Sequence, residues 1–295
     1  MRVPAIVISA LISTRAAAQP EALEAENNRA KVIAGASVGA IHIAYATWSY
    51  FAWYRDADSE DWHIEPSSGL QVGGYAGGAD KLGHVWSNYA LTRATTAVLT
   101  TAGWRRLPSS LVSAGLTEVA FTLTEIQDGY VFGFDHEDIV ANVGGAALAV
   151  VMDNVPAVDR LFDFRLQYFP SRDYRRTFRE NGSVDVGQDY TGQSYILALH
   201  LGALPHMSES DYTYWARYVD FAVGFEAHHY APAPPEPREV APRQTLYLGL
   251  AINMQGLLNE LFDDSRGRRI GRGVFEVYSL PYTTLRYAEA SRSPM

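Results

Sequence analysis

Three short polar stretches hold the residue types that can do chemistry. Asp80-Lys81-Leu82-Gly83-His84 follows a loop with glycines at 73, 74, 77 and 78 and opens a helix. Glu125 and Asp128 close the next helix just before Gly129, and Asp135 and Asp138 start the one after. Asp80, His84 and Asn88 recur at i, i+4 and i+8, so they share one helix face. Glu125 and Asp128 sit where carboxylates oppose the helix dipole and repel each other. Each effect costs a few tenths of a kcal/mol up to about 1 kcal/mol. A partner for them is therefore expected. Lys81 and His84 are the nearest cations if the second and third helices pack antiparallel, and the short connection 129–134 returns Asp138 to the same end.

The candidate catalytic cluster is thus Asp80, Lys81, His84, Glu125, Asp128 and Asp138. Three kinds of chemistry suit it. His84 with Glu125, Asp128 and Asp138 could ligate a divalent metal through nitrogen and oxygen. His84 held by a carboxylate could act as general base or acid. The same groups could instead form a salt-bridge network that locks three helices together. Each residue also has a plainer role: Asp80 and Asp135 as N-caps, Asp138 as a capping-box acid, and Gly144-Gly145 as a site of close helix packing. His42 reads as a core residue and His228-His229 as a strand-end pair. No nucleophile elbow, Walker loop, dinucleotide fingerprint or HExxH is present, and no cofactor or metal identity is indicated.

The elements that must position these groups are mostly helical. The chain has 295 residues, 47% hydrophobic and only 19% charged, less charge than usual, which leaves much of it free for burial. The net charge of −9 argues against nucleic acid, which needs clustered Lys and Arg. There is no cysteine, which excludes disulfides, thiolate metal sites and cysteine nucleophiles within these residues. Residues 1–18 read as a signal peptide, with Arg2, an apolar run from Val3 to Ile12, and Ala16-Ala17-Ala18 before Gln19. Residues 19–30 form a polar leader. Val32 to Tyr54 carries one ionisable residue, His42, many small residues and an aromatic end at Trp48, Tyr50, Trp53 and Tyr54. That is long enough to cross a bilayer and ends like an interfacial belt.

Helices are then expected from Asp80 to about Gly103, from just after Pro108 and Ser109-Ser110 to Asp128-Gly129, and from Asp135 to about Met152. Arg93 inside the second argues against lipid on its face. Residues 153–190 alternate arginines and aromatics and read as an amphipathic linker. Beyond them, Ser194 to Leu204 reads as an apolar helix. Tyr218–Tyr230 and Leu246–Ile252 alternate as two antiparallel strands joined by a proline-rich loop, with short helices at 256–262 and 273–280.

The motif Asp80-Lys81-x-x-His84, Glu125-x-x-Asp128, then Asp138 followed by glycines, resembles the YfiM-type periplasmic lipoproteins, domain of unknown function 2279. Its order is also similar to the VanZ-like membrane family, whose last motif Asp138, Asn142 and Gly145 fit; Asp128 stands where that family has Gln. The resemblance covers roughly residues 31–152. Asp189-Tyr190-x-Gly192-Gln193-x-Tyr195 and the strand pair resemble the extension of longer members. It implies an envelope location and a helical, membrane-associated core, with no established activity. The absence of cysteine departs from the lipoprotein pattern and speaks against lipid anchoring within this sequence.

The expected fold is mainly α: a four-helix membrane-associated bundle over 31–152, a basic aromatic linker over 153–190, and a small α+β extension with an antiparallel strand pair over 191–295. The expected protein sits in the cell envelope, periplasmic and membrane-associated. Its partners are the membrane and an envelope protein docked on the extension, with no nucleic acid. The leading functional reading is a structural or envelope-maintenance role for the polar cluster. The alternative is a hydrolase or transferase acting on a lipid-linked or glycan substrate through His84 and the carboxylates.

Overall fold

The computed structural model describes residues 20–182, 184–207, 213–230, 240–262 and 266–294. The expected signal peptide and most of the proline-rich loop lie outside the described residues. The helical part is α1 (Pro20–Ser49), continued by one π-turn through Tyr54, then α2 (Ala79–Thr101), α3 (Arg106–Asp128) and α4 (His136–Asn154). α5 (Pro156–Leu161), β1 (Phe162–Tyr168), α6 (Arg172–Asn181), β2 (Gln193–His200), β3 (Val219–His228) and β4 (Arg243–Ile252) follow. The chain finishes with α7 (Met254–Leu261), α8 (Arg266–Val277), β5 (Tyr278–Ser279) and β6 (Thr284–Arg292).

This corrects the expected fold class. The strands form one six-stranded mixed sheet in the order β5-β1-β2-β3-β4-β6, antiparallel except for the short β1–β5 pair. Among the described residues, one segment, Asn27–Tyr54, is long and apolar enough to cross a membrane, so the helices are not a four-helix membrane bundle. Ser194–Leu204 is no helix: most of it is β2, the strand between β1 and β3. Its run Tyr195-Ile196-Leu197-Ala198-Leu199 is apolar on both faces even though Leu197 is exposed, and periodicity cannot tell such a run from a helix. The 153–190 segment holds β1, whose Phe162, Phe164 and Leu166 join the core against α2 and α4 while Asp163 and Arg165 are buried on the other face.

α2 is the centre of the molecule, touching α1, α3, α4, α8 and β1 to β3. It starts where Gly77 and Gly78 take φ of +54° and +80°, a left-handed conformation open to glycine at little cost. Gly77 also lies against the Tyr230 ring, where a Cβ would come within 2.4 Å. α4 comes close to α2 because position 145 is glycine; a Cβ there would sit 2.1 Å from the Val85 carbonyl oxygen. On the other side, Tyr89, Ala149, Met152, Phe164 and Tyr195 make the main core between helices and sheet. The outward faces of α3 and α4 expose Leu116, Val119, Leu123, Val140 and Val143.

Candidate functional site

Four pieces of chain bring the polar groups together. Glycine 77 and 78 set the start of α2, and so the height of Asp80, Lys81 and His84. Asp135 caps α4, its carboxylate accepting from the Glu137 N–H at 2.8 Å, which puts Asp138 in the first turn. Glu125 and Asp128 arrive at the end of α3. Tyr54 closes the group from the end of α1. The expectation that Asp80 caps α2 is corrected: Gly78 is the cap and Asp80 lies inside the first turn, leaving its carboxylate free for side-chain partners.

Lys81 is the inner cation. Its Nζ donates to Asp135 and Asp138, each at 2.6 Å, and to Asp80 at 3.1 Å. His84 is held by one ring nitrogen. Nδ1 lies 3.0 Å from Asn142 Oδ1 and 3.3 Å from Glu125 Oε1. Both are acceptors, so the network puts the proton on Nδ1. Asn142 Oδ1 also takes a hydrogen bond from Asn88 Nδ2 at 2.6 Å, and Asn142 Nδ2 donates to Glu125 at 3.3 Å. His84 Nε2 faces Asp80 Oδ1 at 3.7 Å and Asp138 Oδ1 at 3.5 Å, beyond good hydrogen-bond range. Asp128 does not meet Lys81; it accepts from the Tyr54 hydroxyl at 2.7 Å. Tyr190 donates to Asp80 at 2.9 Å.

The electrostatics follow from burial and an excess of acid. Burial pushes Glu125 up to about 8 and Asp128 up to about 6. Burial also raises Asp138 to about 6, with Asp80 adding to the rise and His84 and Lys81 opposing it. Burial alone would lower His84, but Asp80, Asp138 and Glu125 outweigh it and raise its pKa to about 9. Asp80 goes the other way: burial opposes its ionisation, and His84 and Lys81 overcome this and hold it below its ordinary value. The site therefore has groups whose proton affinities are driven apart, the pattern acid–base chemistry uses.

Asp80, His84 and Asp138 each offer one ligand atom, all within 4.8 Å of one another. Glu125 is not part of that set but stands behind it on Nδ1, as carboxylates stand behind ligating histidines in metal sites. The fold brings five of the six candidates into one connected group, and Asp128 stands beside it, bonded to Tyr54. The sequence reading missed Tyr54 and Tyr190 as site residues. Tyr190 lay in the Asp189–Tyr195 motif, and Tyr54 in the aromatic end of α1. It also missed a second buried cluster in the sheet. There Arg165 donates to Asp163 at 2.5 Å and to Asp220 at 2.7 Å, and His200 meets Asp220 at 2.8 Å and Asp163 at 3.1 Å.

No curated protein and no solved structure matches the chain, and the VanZ-like resemblance is not shown. The profile of a family described as predicted periplasmic lipoprotein (DUF2279) matches residues 70–154. That stretch contains all six candidate residues. By this match the protein belongs to the periplasmic side of the cell envelope, and its residues 70–154 are similar to the predicted periplasmic lipoproteins.

Proposed function

We propose that the protein carries out acid–base chemistry at the bilayer surface of the envelope, hydrolysing or transferring a lipid-linked or glycan substrate at His84. The observation behind this reading is the charge of the centre: five carboxylates surround one ammonium and one imidazole. A network built for stability gains most from balanced charge and full pairing, and this one has neither. Glu125 and Asn142 fix the His84 ring through Nδ1 and leave Nε2 as the working nitrogen. With its raised pKa, His84 is protonated at neutral pH and serves as general acid toward a leaving group. Asp138, mostly ionised there, is the nearby base for an incoming hydroxyl or water. Lys81 restrains the carboxylates and stabilises negative charge that develops beside them. The aromatic end of α1 supports a substrate at headgroup level, because Tyr54 belongs both to that end and to the site.

A second reading has a specific observation in its favour. Ligands about 2.1 Å from a tetrahedral ion stand about 3.4 Å apart, close to the 3.7 and 3.5 Å between His84 Nε2 and the two Asp oxygens. A divalent cation held by Asp80, His84 and Asp138 would activate water there.

The test uses purified full-length protein in detergent, incubated with envelope lipid extract, with product release followed by mass spectrometry. His84→Gln and Glu125→Gln are expected to lose turnover while keeping thermal stability within about 1 kcal/mol, since active-site polar groups often cost stability. If both variants lose several degrees of Tm and the wild type releases nothing, the centre is structural and the proposal fails.

A further inference from the structure

The second site is in the sheet, away from His84. Residues of the sheet's polar face, among them Glu226 and His228, end in a cavity of about 430 Å³ between α6 and the β5–β6 turn. This is within the size range of small-molecule sites. Its lining is unusually basic. Arg172 and Arg175 enter from α6, and Arg286 from β6. Glu226 is already taken: Arg286 donates to it and His228 Nε2 lies 3.0 Å from it. Among the described residues the ion pair of α6 is Arg176 with Asp173, while Arg172 and Arg175 have no carboxylate partner. Both are exposed residues of the lining, and Arg175 Nε donates to the Ser171 carbonyl at 3.2 Å.

The mouth also has a flat apolar edge. Arg175 lies over the Phe169 ring at 5.7 Å, and Phe169 meets Tyr282 edge-on at 5.4 Å. Tyr282 is exposed and holds φ at +63°, a conformation unfavourable for a bulky residue. Strain of this kind collects at ligand clamps. A pair of forked cations beside an aromatic edge matches an anion with several equivalent oxygens, which Arg binds bidentately.

We infer that this cavity binds a phosphate group, with Arg172 and Arg175 as its ligands and Phe169 and Tyr282 packing on whatever carries it. The carrier is either a lipid, with the headgroup in the cavity, or a soluble phosphate ester. The inference does not rest on the reading of His84, and the two sites share only a turn. Tyr190 reaches Asp80, and the next residues, Thr191 to Gln193, line the cavity.

The test is isothermal titration of full-length protein in a neutral detergent with three probes: inorganic phosphate, dihexanoyl phosphatidic acid and dihexanoyl phosphatidylcholine. Arg172→Gln/Arg175→Gln is the test variant. Arg176→Gln, on the same helix outside the lining, is the control, and circular dichroism checks that both fold like the wild type. We expect phosphate or phosphatidic acid to bind and the double variant to weaken that binding at least tenfold, with the control unchanged. Tighter binding of phosphatidic acid than of phosphate identifies a lipid headgroup, and equal binding identifies a soluble ester. The inference is overturned if neither anion binds, if phosphatidylcholine binds as tightly as phosphatidic acid, or if Arg176→Gln weakens binding as much as the double variant.

Discussion

The protein buries two ionic clusters and builds them by opposite rules. In the sheet, Arg165 and His200 face Asp163 and Asp220, two cations for two carboxylates, and every partner lies within 3.1 Å. Gln255 adds a further donor to Asp163 at 2.6 Å. In the bundle, four carboxylates (Asp80, Glu125, Asp135 and Asp138) share Lys81 and His84, Asp128 stands beside them on Tyr54, and His84 Nε2 stands off from its nearest acids. Low dielectric magnifies both arrangements. The balanced one is what a fold needs to hold charge inside. The surplus in the other is answered inside the chain only by raised proton affinities, at Glu125, Asp128 and Asp138. The difference separates a structural network from a centre left ready for a proton or a cation.

The comparison breaks most sharply at Arg165. Arg165→Met leaves Asp163 and Asp220 buried without their main cation, and a loss of about 3–5 kcal/mol in denaturant unfolding is expected. A cost below about 1 kcal/mol would show that the sheet cluster is no tighter than the bundle's. Next comes the backbone approach that holds the bundle centre together. Gly145→Ala forces a methyl onto the Val85 carbonyl and should cost about 1–3 kcal/mol. At Gly144 a Cβ meets nothing within 4 Å, and the same change there should instead raise stability by roughly 0.5–1 kcal/mol. Equal effects at the two positions would remove the close-packing account.

A pH series sharpens the comparison more gently. Burial would lower the His200 pKa, but the hydrogen bonds its ring donates to Asp163 and Asp220 raise it from 6.5 to about 9. A raised histidine contributes stability that is fully present below its ordinary pKa and is lost as pH rises through the folded value. Tm should therefore fall between about pH 6.5 and 9, and His200→Gln should flatten that fall. The smallest effect is expected in the bundle: burial pushes Glu125 up to about 8, so at neutral pH Glu125→Gln replaces a mostly protonated carboxyl with an amide and should leave Tm unchanged or slightly raised. A clear drop would mean that the carboxylate at 125 is part of the structural frame.

The helices around the site were legible because their ends carry explicit signals. Glycine 77 and 78 open α2, Asp135 caps α4, and Gly129 stops α3, so the helix ends that carry these signals landed within a turn of their true positions. The site followed from those ends, since it consists of first and last turns. The sheet was legible only where strands alternate, at β3 and β4. β2 shows Tyr-Ile-Leu-Ala-Leu without a polar beat. β1 alternates, but its inward polar residues are Asp163 and Arg165, and a charged pair reads as surface until its partners, Asp220 and His200, are known to be opposite. Long-range pairing of charges leaves no local mark in a sequence, and the whole second cluster was hidden for that reason.

The seam between helices and sheet has a consequence for modularity. Tyr190 hydrogen-bonds Asp80, Gln244 Nε2 donates to the Gly77 carbonyl at 2.7 Å, Trp86 donates to the Val277 carbonyl at 2.7 Å, and the Tyr195 hydroxyl lies against Gly83. All four joints fall on the first two turns of α2 or the loop before it, the same few residues that carry Lys81 and His84. The segment shared with the lipoprotein family cannot therefore be lifted out or exchanged as a cassette without freeing those polar atoms. Any recombination that traded one sheet for another would have to bring along a tyrosine, a glutamine and a carbonyl in matching positions.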